Sequence, residues 1–152
     1  MFESQEYKSI LVGTDGSDQA KLAFEKAIAV GKRNNGKVVV AHIIENKMYG
    51  GTMSFSTFAP DLVQEESDQA RALLDEYKAE AKKLGYDAIE TVLEYGSPKV
   101  MMSRDLPERY NSDLIMVGQS GLNAVERLVM GSVSDHIIRT APCDVLIVRP
   151  ED

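Results

Sequence analysis

The sequence predicts an α/β fold, a single open five-stranded parallel sheet with helices on both faces. Short apolar, β-branched runs alternate along the chain with amphipathic segments of helical period. The runs at 9–14 and 37–44 are almost continuously apolar, which is typical of strands buried on both faces. Parallel strands need crossover connections, and the helical segments supply them. A chain of 152 residues suits one domain, so residues 1–152 are predicted to form a single unit.

The elements follow one another in a regular order. The predicted strands are 9–14, 37–44, 87–95, 113–117 and 145–148. The predicted helices are 18–34, 62–84, one that begins after Ser97 and a short one opened by Ser132. Ser17 or Asp18 caps the first helix, Gly85 closes the second, and Pro107 kinks or ends the third. We expect the strand order 3-2-1-4-5, with a loop at 45–60 that is long enough to be mobile or functional.

Composition and charge exclude several classes of protein. The net charge of −7 argues against a nucleic-acid partner or a membrane surface, both of which require clustered Lys and Arg. The single cysteine, Cys143, can form neither an internal disulfide nor a Cys-rich zinc site. Neither a signal peptide nor an apolar run of spanning length is apparent. The sequence therefore predicts a cytoplasmic protein.

The loop after the fourth predicted strand carries the strongest functional signal. It reads Gly118, two residues, Gly121, nine residues, then Gly131-Ser132. Glycines let the backbone approach an anion closely, and a helix that opens at Gly131-Ser132 points its free amides and positive end toward phosphate. Singly, each glycine is explained by a turn or a cap. Together they indicate a phosphate-binding loop, with the hydroxyls of Ser120 and Ser132 assisting.

A carboxylate follows the first strand at the same predicted crevice, because ligands of open parallel sheets bind beyond the carboxyl ends of the strands. Asp15 could accept a hydrogen bond from a ribose hydroxyl, or help to hold Mg²⁺ with the phosphates. The alternative role is a helix cap, and the two roles are compatible.

Three segments, KSILVGTDGS, VVVAHII and residues 111–149, resemble the universal stress protein family. The glycine spacing is similar to the nucleotide-binding signature of that family.

The resemblance covers the chain except residues 46–60 and the two ends. It implies a Rossmann-like fold of the adenine nucleotide α hydrolase type and a cytoplasmic homodimer that binds ATP in the stress response. The expected cofactor is ATP with Mg²⁺, the ion that Asp15 could help to hold. The residues it places around adenosine are Gly13, Thr14 and Asp15, with the backbone of Ile43 at the adenine. Those it places along the ribose and phosphates are Val117, Gly118 and Gly121. Those it assigns to the phosphate tail are Gly131, Ser132 and Val133.

Two functions from different classes remain open on the sequence. The first is a nucleotide-dependent regulatory or binding module. The second is a slow ATPase, although the sequence has no Walker A lysine and no convincing base, and no catalytic residue is assigned. A phosphoacceptor receiver domain is discounted, because Gly96 and Ser97 stand where it would need an Asp. The final strand, 145–148, is expected at a sheet edge, where pairing with a second copy would give a homodimer.

Overall fold

The sheet has the predicted architecture in the computed structural model, which describes residues 6–45, 60–119 and 130–150. Its strands are β1 (Ser9–Gly13), β2 (Lys37–Glu45), β3 (Ile89–Gly96), β4 (Leu114–Gly118) and β5 (Asp144–Val148). All neighbouring pairs are parallel, and the order is β3-β2-β1-β4-β5. The order reverses between β1 and β4, so the carboxyl ends of these two strands lie side by side.

Helices cover both faces, as expected. They are α1 (Asp18–Asn34), α2 (Pro60–Lys83), α3 (Pro98–Val100), α4 (Leu106–Tyr110) and α5 (Ser132–Thr140). The Ser17 hydroxyl accepts a hydrogen bond from the Ala20 amide 3.1 Å away and so fixes the start of α1. Asn35, in the left-handed conformation at φ 53°, ends that helix.

Pro107 does not end the third predicted helix. A π-helical turn, Met101–Asp105, joins α3 to α4, and the helix continues through Pro107 to Tyr110. Proline has no amide hydrogen, and its ring collides with the carbonyl four residues earlier in a regular α-helix. A π turn widens the helix at that point, and this is a common way to absorb such a disturbance. Of the two predicted effects of Pro107, a kink or an end of the helix, the structure therefore excludes the end and shows a distortion in the form of the π turn.

The hydrophobic core has two layers, one on each face of the sheet. Alternate residues of the inner strands point to opposite layers: Val12 and Val40 pack with Phe24 under α1 and α2. Leu11 and Val39 pack on the opposite face, against the π turn, α4 and α5. This double burial explains why the inner strands are apolar at nearly every position.

The edge strands β3 and β5 are less buried than the inner strands, as expected from their sequences. Most residues of β3 are half-buried, and Leu146 of β5 is 40% exposed.

Within the three described ranges, no helix is both long and apolar enough to cross a membrane. Residues 46–59, most of the predicted 45–60 loop, lie outside the described residues.

Candidate functional site

The crevice lies at the reversal of strand order. In the register of β1 and β4, Val12 pairs with Met116, so the loop that leaves β1 begins beside Val117 and Gly118. The N-terminus of α5 returns to the same edge, because its first residues are tied to the end of β4. The structure therefore brings the described parts of the two predicted segments, residues 13–17 and 117–119 with 131–133, to one end of the sheet.

The loop after β1 is held by Thr14. Its amide donates to the carbonyl of Ala41 at 2.9 Å, and its side chain is 8% exposed. The Thr14 hydroxyl accepts from the Gly16 amide at 3.3 Å and donates to the hydroxyl oxygen of Tyr77 at 2.9 Å. Gly16 has φ +84°, a left-handed conformation that favours glycine.

Asp15 is exposed at the mouth of this loop. Its carboxylate accepts a hydrogen bond from the Ser17 amide at 2.9 Å, which stabilises the turn into α1. The helix cap itself is Ser17, so the alternative role of Asp15 as a cap is replaced by one in the turn that precedes the cap. Within the described part of the chain, no group of three or more His, Cys, Asp and Glu side chains could hold a metal ion by itself.

Two of the predicted site glycines lie close to neighbouring helical elements. A Cβ atom on Gly13 would lie 2.9 Å from Cε of Met102, on the π turn. A Cβ atom on Gly118 would lie 3.1 Å from Cβ of Gln19 and 3.2 Å from its carbonyl oxygen, on α1. Both distances are too short for a side chain without local movement. The Met102 side chain is flexible and can shift, whereas Gly118 also faces the backbone of Gln19, so packing favours glycine more strongly at Gly118 than at Gly13.

The start of α5 differs from the starts of α1 and α3, which are capped by the side chains of Ser17 and Ser97. Gly131 is its N-cap residue at φ −65° and ψ 152°, and no side chain of the described residues caps it. The first intrahelical bond runs from the Asp135 amide to the Gly131 carbonyl at 2.9 Å. The preceding helical amides, at Ser132, Val133 and Ser134, therefore form the positive end of the helix dipole.

Two hydrogen bonds fasten this helix end to β4. The Gly131 amide donates to the Gln119 carbonyl at 2.8 Å, and the Ser134 hydroxyl donates to the Gly118 carbonyl at 2.7 Å. The Gln119 amide in turn donates to the carbonyl of Val148 on β5 at 3.1 Å. The amides at the start of α5 are thus held in place before any ligand arrives. Such an arrangement can bind an anion.

Apolar side chains border the crevice on the α5 face of the sheet. Val117 is buried, and Ile43 and Val133 are half-buried against the same core layer. His42 precedes Ile43 and so points to the opposite face. Burial lowers the pKa of His42, while the Thr14 backbone and the carboxylates of Asp15 and Glu66 oppose this shift.

Two contacts of the site were not predicted. Tyr77 falls among apolar residues at helical spacing in α2, and nothing in that spacing shows that its hydroxyl reaches Thr14. Met102 lies close to Gly13 because the π turn carries it there, and no sequence pattern indicates that turn. Ser120 and Gly121, predicted at the phosphates, lie outside the described residues.

Comparison with known proteins decides the family. Residues 6–149 match the family model described as the universal stress protein family. The chain belongs to this family. A curated relative from Staphylococcus aureus (strain USA300) that bears the universal stress protein name is 44% identical over 146 residues, covering 96% of this chain and 86% of the relative.

Solved structures agree with the family and the fold. A universal stress protein from Lactobacillus plantarum superposes with a TM-score of 0.87 at 25% identity, covering 96% of this chain and all of that one. Another universal stress protein, solved in complex with cAMP, has a TM-score of 0.69 at 29% identity and covers 95% and 98% of the two chains. The universal stress proteins therefore share this sheet, and at least one similar member binds a nucleotide.

Proposed function

We propose that this universal stress protein binds ATP, with Mg²⁺, in the crevice between β1 and β4 and acts as a nucleotide-dependent regulatory protein of the stress response. The observation that carries the proposal is the start of α5, where Gly131 provides no side-chain cap and two hydrogen bonds hold the helix end to β4. The cAMP complex of a 29% identical relative supports a nucleotide as the ligand.

The phosphates would lie at the amides of Ser132 and Val133, with the Ser132 hydroxyl as a further donor. Ser132 is exposed and therefore accessible to a ligand. Gly118 stands at the β4 end of the Gly118-x2-Gly121-x9-Gly131-Ser132 loop. In this proposal the phosphates lie between the end of β4 and the start of α5.

The base and ribose would lie toward β1 and β2. Ile43 and Val117 offer an apolar wall, and the backbone of Gly13 and Thr14 closes the end of β1. Nucleotide sites commonly combine an apolar wall with a few polar groups, as here. ATP is favoured because the sequence places two glycine clusters between β4 and α5, and glycine-rich backbone can turn several amides toward phosphates.

Asp15 suits a magnesium ion that is shared with the ligand. Mg²⁺ usually keeps several waters and takes one or two carboxylates together with phosphate oxygens, so one exposed carboxylate is sufficient. We also propose that the protein is cytoplasmic, as expected from the sequence, and that it forms a homodimer through β5.

The test uses substitutions at Ser132, the first residue of α5. Asp at this position interacts favourably with the helix dipole, by about 0.3–1 kcal/mol, yet it repels phosphate. Titration calorimetry with ATP and Mg²⁺ should show binding by the wild type and at least about tenfold weaker binding by Ser132→Asp, equivalent to about 1.4 kcal/mol. The melting temperature of Ser132→Asp should be equal or higher, so unfolding cannot explain the loss.

Ser132→Asn is the matched control, since it has nearly the same size as Asp without the charge: it loses the hydroxyl donor but does not repel phosphate, and it should bind ATP more tightly than Ser132→Asp. Parallel titrations with AMP and cAMP distinguish the triphosphate from smaller nucleotides. The proposal fails if the wild type binds no nucleotide, or if Ser132→Asp binds as tightly as the wild type. Steady ATP turnover that is lost in Asp15→Ala would instead support the slow ATPase.

A further inference from the structure

A tyrosine of α2 reaches the loop that follows β1. Tyr77 is 6% exposed, and its ring meets Phe24 of α1 edge-on, with the ring centroids 4.6 Å apart. Its hydroxyl oxygen lies 2.9 Å from the Thr14 hydroxyl, although the two residues are 63 positions apart in the chain. The long helix α2 is therefore joined to the candidate site by a polar contact and not by core packing alone.

The Thr14 hydroxyl connects Tyr77 to the turn after β1. A hydroxyl has one hydrogen to donate and two lone pairs with which to accept. The Thr14 hydroxyl gives its hydrogen to Tyr77 and accepts from the Gly16 amide at 3.3 Å. Because Thr14 is buried, water cannot readily replace the tyrosine oxygen. The tyrosine thus fixes the orientation of the Thr14 hydroxyl, and that orientation fixes the Gly16 amide.

We infer that Tyr77 is a positioning residue of the nucleotide site, an inference that rests on the proposed function. Gly16 adjoins Asp15, and the Asp15 carboxylate accepts from the amide of Ser17 in the same turn. The contact from Tyr77 through Thr14 to Gly16 therefore sets where the Asp15 carboxylate and the turn backbone lie relative to the crevice. Tyr77 itself need not touch the ligand.

The test is Tyr77→Phe, which keeps the ring against Phe24 and removes the oxygen. Tyr86→Phe is the matched control: Tyr86 is also 6% exposed, and its hydroxyl donates to the Gly36 carbonyl just before the start of β2, away from the crevice. Two quantities are measured on the full chain. The first is amide hydrogen exchange of Gly16 in the ligand-free protein, and the second is the Kd for ATP with Mg²⁺.

Tyr77→Phe should accelerate exchange at Gly16 and weaken ATP binding by about three- to tenfold, the range expected when one buried hydrogen bond is lost. Tyr86→Phe should change neither quantity, although it also loses a buried hydrogen bond. Thr14→Val should reproduce both effects. The double variant of Tyr77→Phe and Thr14→Val should weaken ATP binding little further, since both side chains act through the same hydrogen bonds to Gly16.

Each other outcome has a defined meaning. Unchanged exchange at Gly16 in Tyr77→Phe overturns the inference, and so does accelerated exchange with an unchanged Kd. Equal losses in Tyr86→Phe also overturn it, because they would reflect general destabilisation. A wild type that binds no ATP overturns the proposed function and this inference with it, whereas failure of the inference alone leaves wild-type binding intact.

Discussion

At the scale of single residues, the burial of His42 makes the stability of the folded protein depend on pH. Its Nδ1 atom is buried and has no hydrogen-bond partner among the described residues, and burial lowers its pKa from the ordinary value of 6.5. The unfolded chain therefore binds a proton at a higher pH than the folded protein does. The contribution of His42 to stability is complete above about pH 6.5 and decreases as the pH falls below it.

Replacing His42 should remove this pH dependence. Between about pH 7.5 and about pH 5.5, the melting temperature of the wild type should fall further than that of His42→Gln, because the variant has no imidazole to protonate. His136→Gln is the control, since it removes the other histidine, and it should behave like the wild type. Equal falls in all three proteins, measured by thermal unfolding at both pH values, would argue against this role of burial.

At the scale of elements, the start of β2 is fitted tightly under the N-terminal segment. A Cβ atom on Gly36 would lie 2.4 Å from the carbonyl oxygen of Tyr7, a backbone atom that cannot move aside alone. Gly36→Ala should therefore lower the free energy of unfolding by about 3 kcal/mol. Gly85→Ala is the comparison, since nothing lies within 4 Å and only its φ of +76° is unfavourable, and it should lose about 1 kcal/mol. Chemical denaturation measures both, and a reversed order would contradict the packing argument.

The elements also show where sequence reasoning succeeds. The strand predicted at 37–44 agrees with β2 to within one residue, because a β-branched run follows directly after Gly36. The start of the helix at Ser132 was predicted because glycine and serine mark helix starts. The π turn was not predicted, since Pro107 in a helical pattern indicates a kink or an end and does not show how the turn before it is wound. Likewise, periodicity identifies Tyr77 as a core residue, but only the register of α2 over β1 brings its hydroxyl to Thr14.

At the scale of the whole molecule, the outer edge of β5 is the place to look for a second copy. Leu146 is 40% exposed there, and Ile138 of α5 is 46% exposed. Open strand edges are usually paired or covered, so we expect a two-fold dimer through β5. Sedimentation should show a dimer for the wild type and a monomer for Leu146→Asp. Leu84→Asp, at a leucine that is also 40% exposed but lies just after α2, should remain dimeric. A monomeric wild type, or equal dissociation of both variants, would count against this interface.

The central claim is that a nucleotide binds where α5 begins beside the end of β4. The most direct measurement is an NMR titration of the ¹⁵N-labelled full chain with ATP and Mg²⁺, followed at the backbone amides. The account predicts that the largest shifts occur at Ser132 and Val133, at Gly118, and in the loop from Gly13 to Gly16. Saturating ATP that leaves these amides unshifted, or that shifts only residues remote from the β1–β4 crevice, would contradict it.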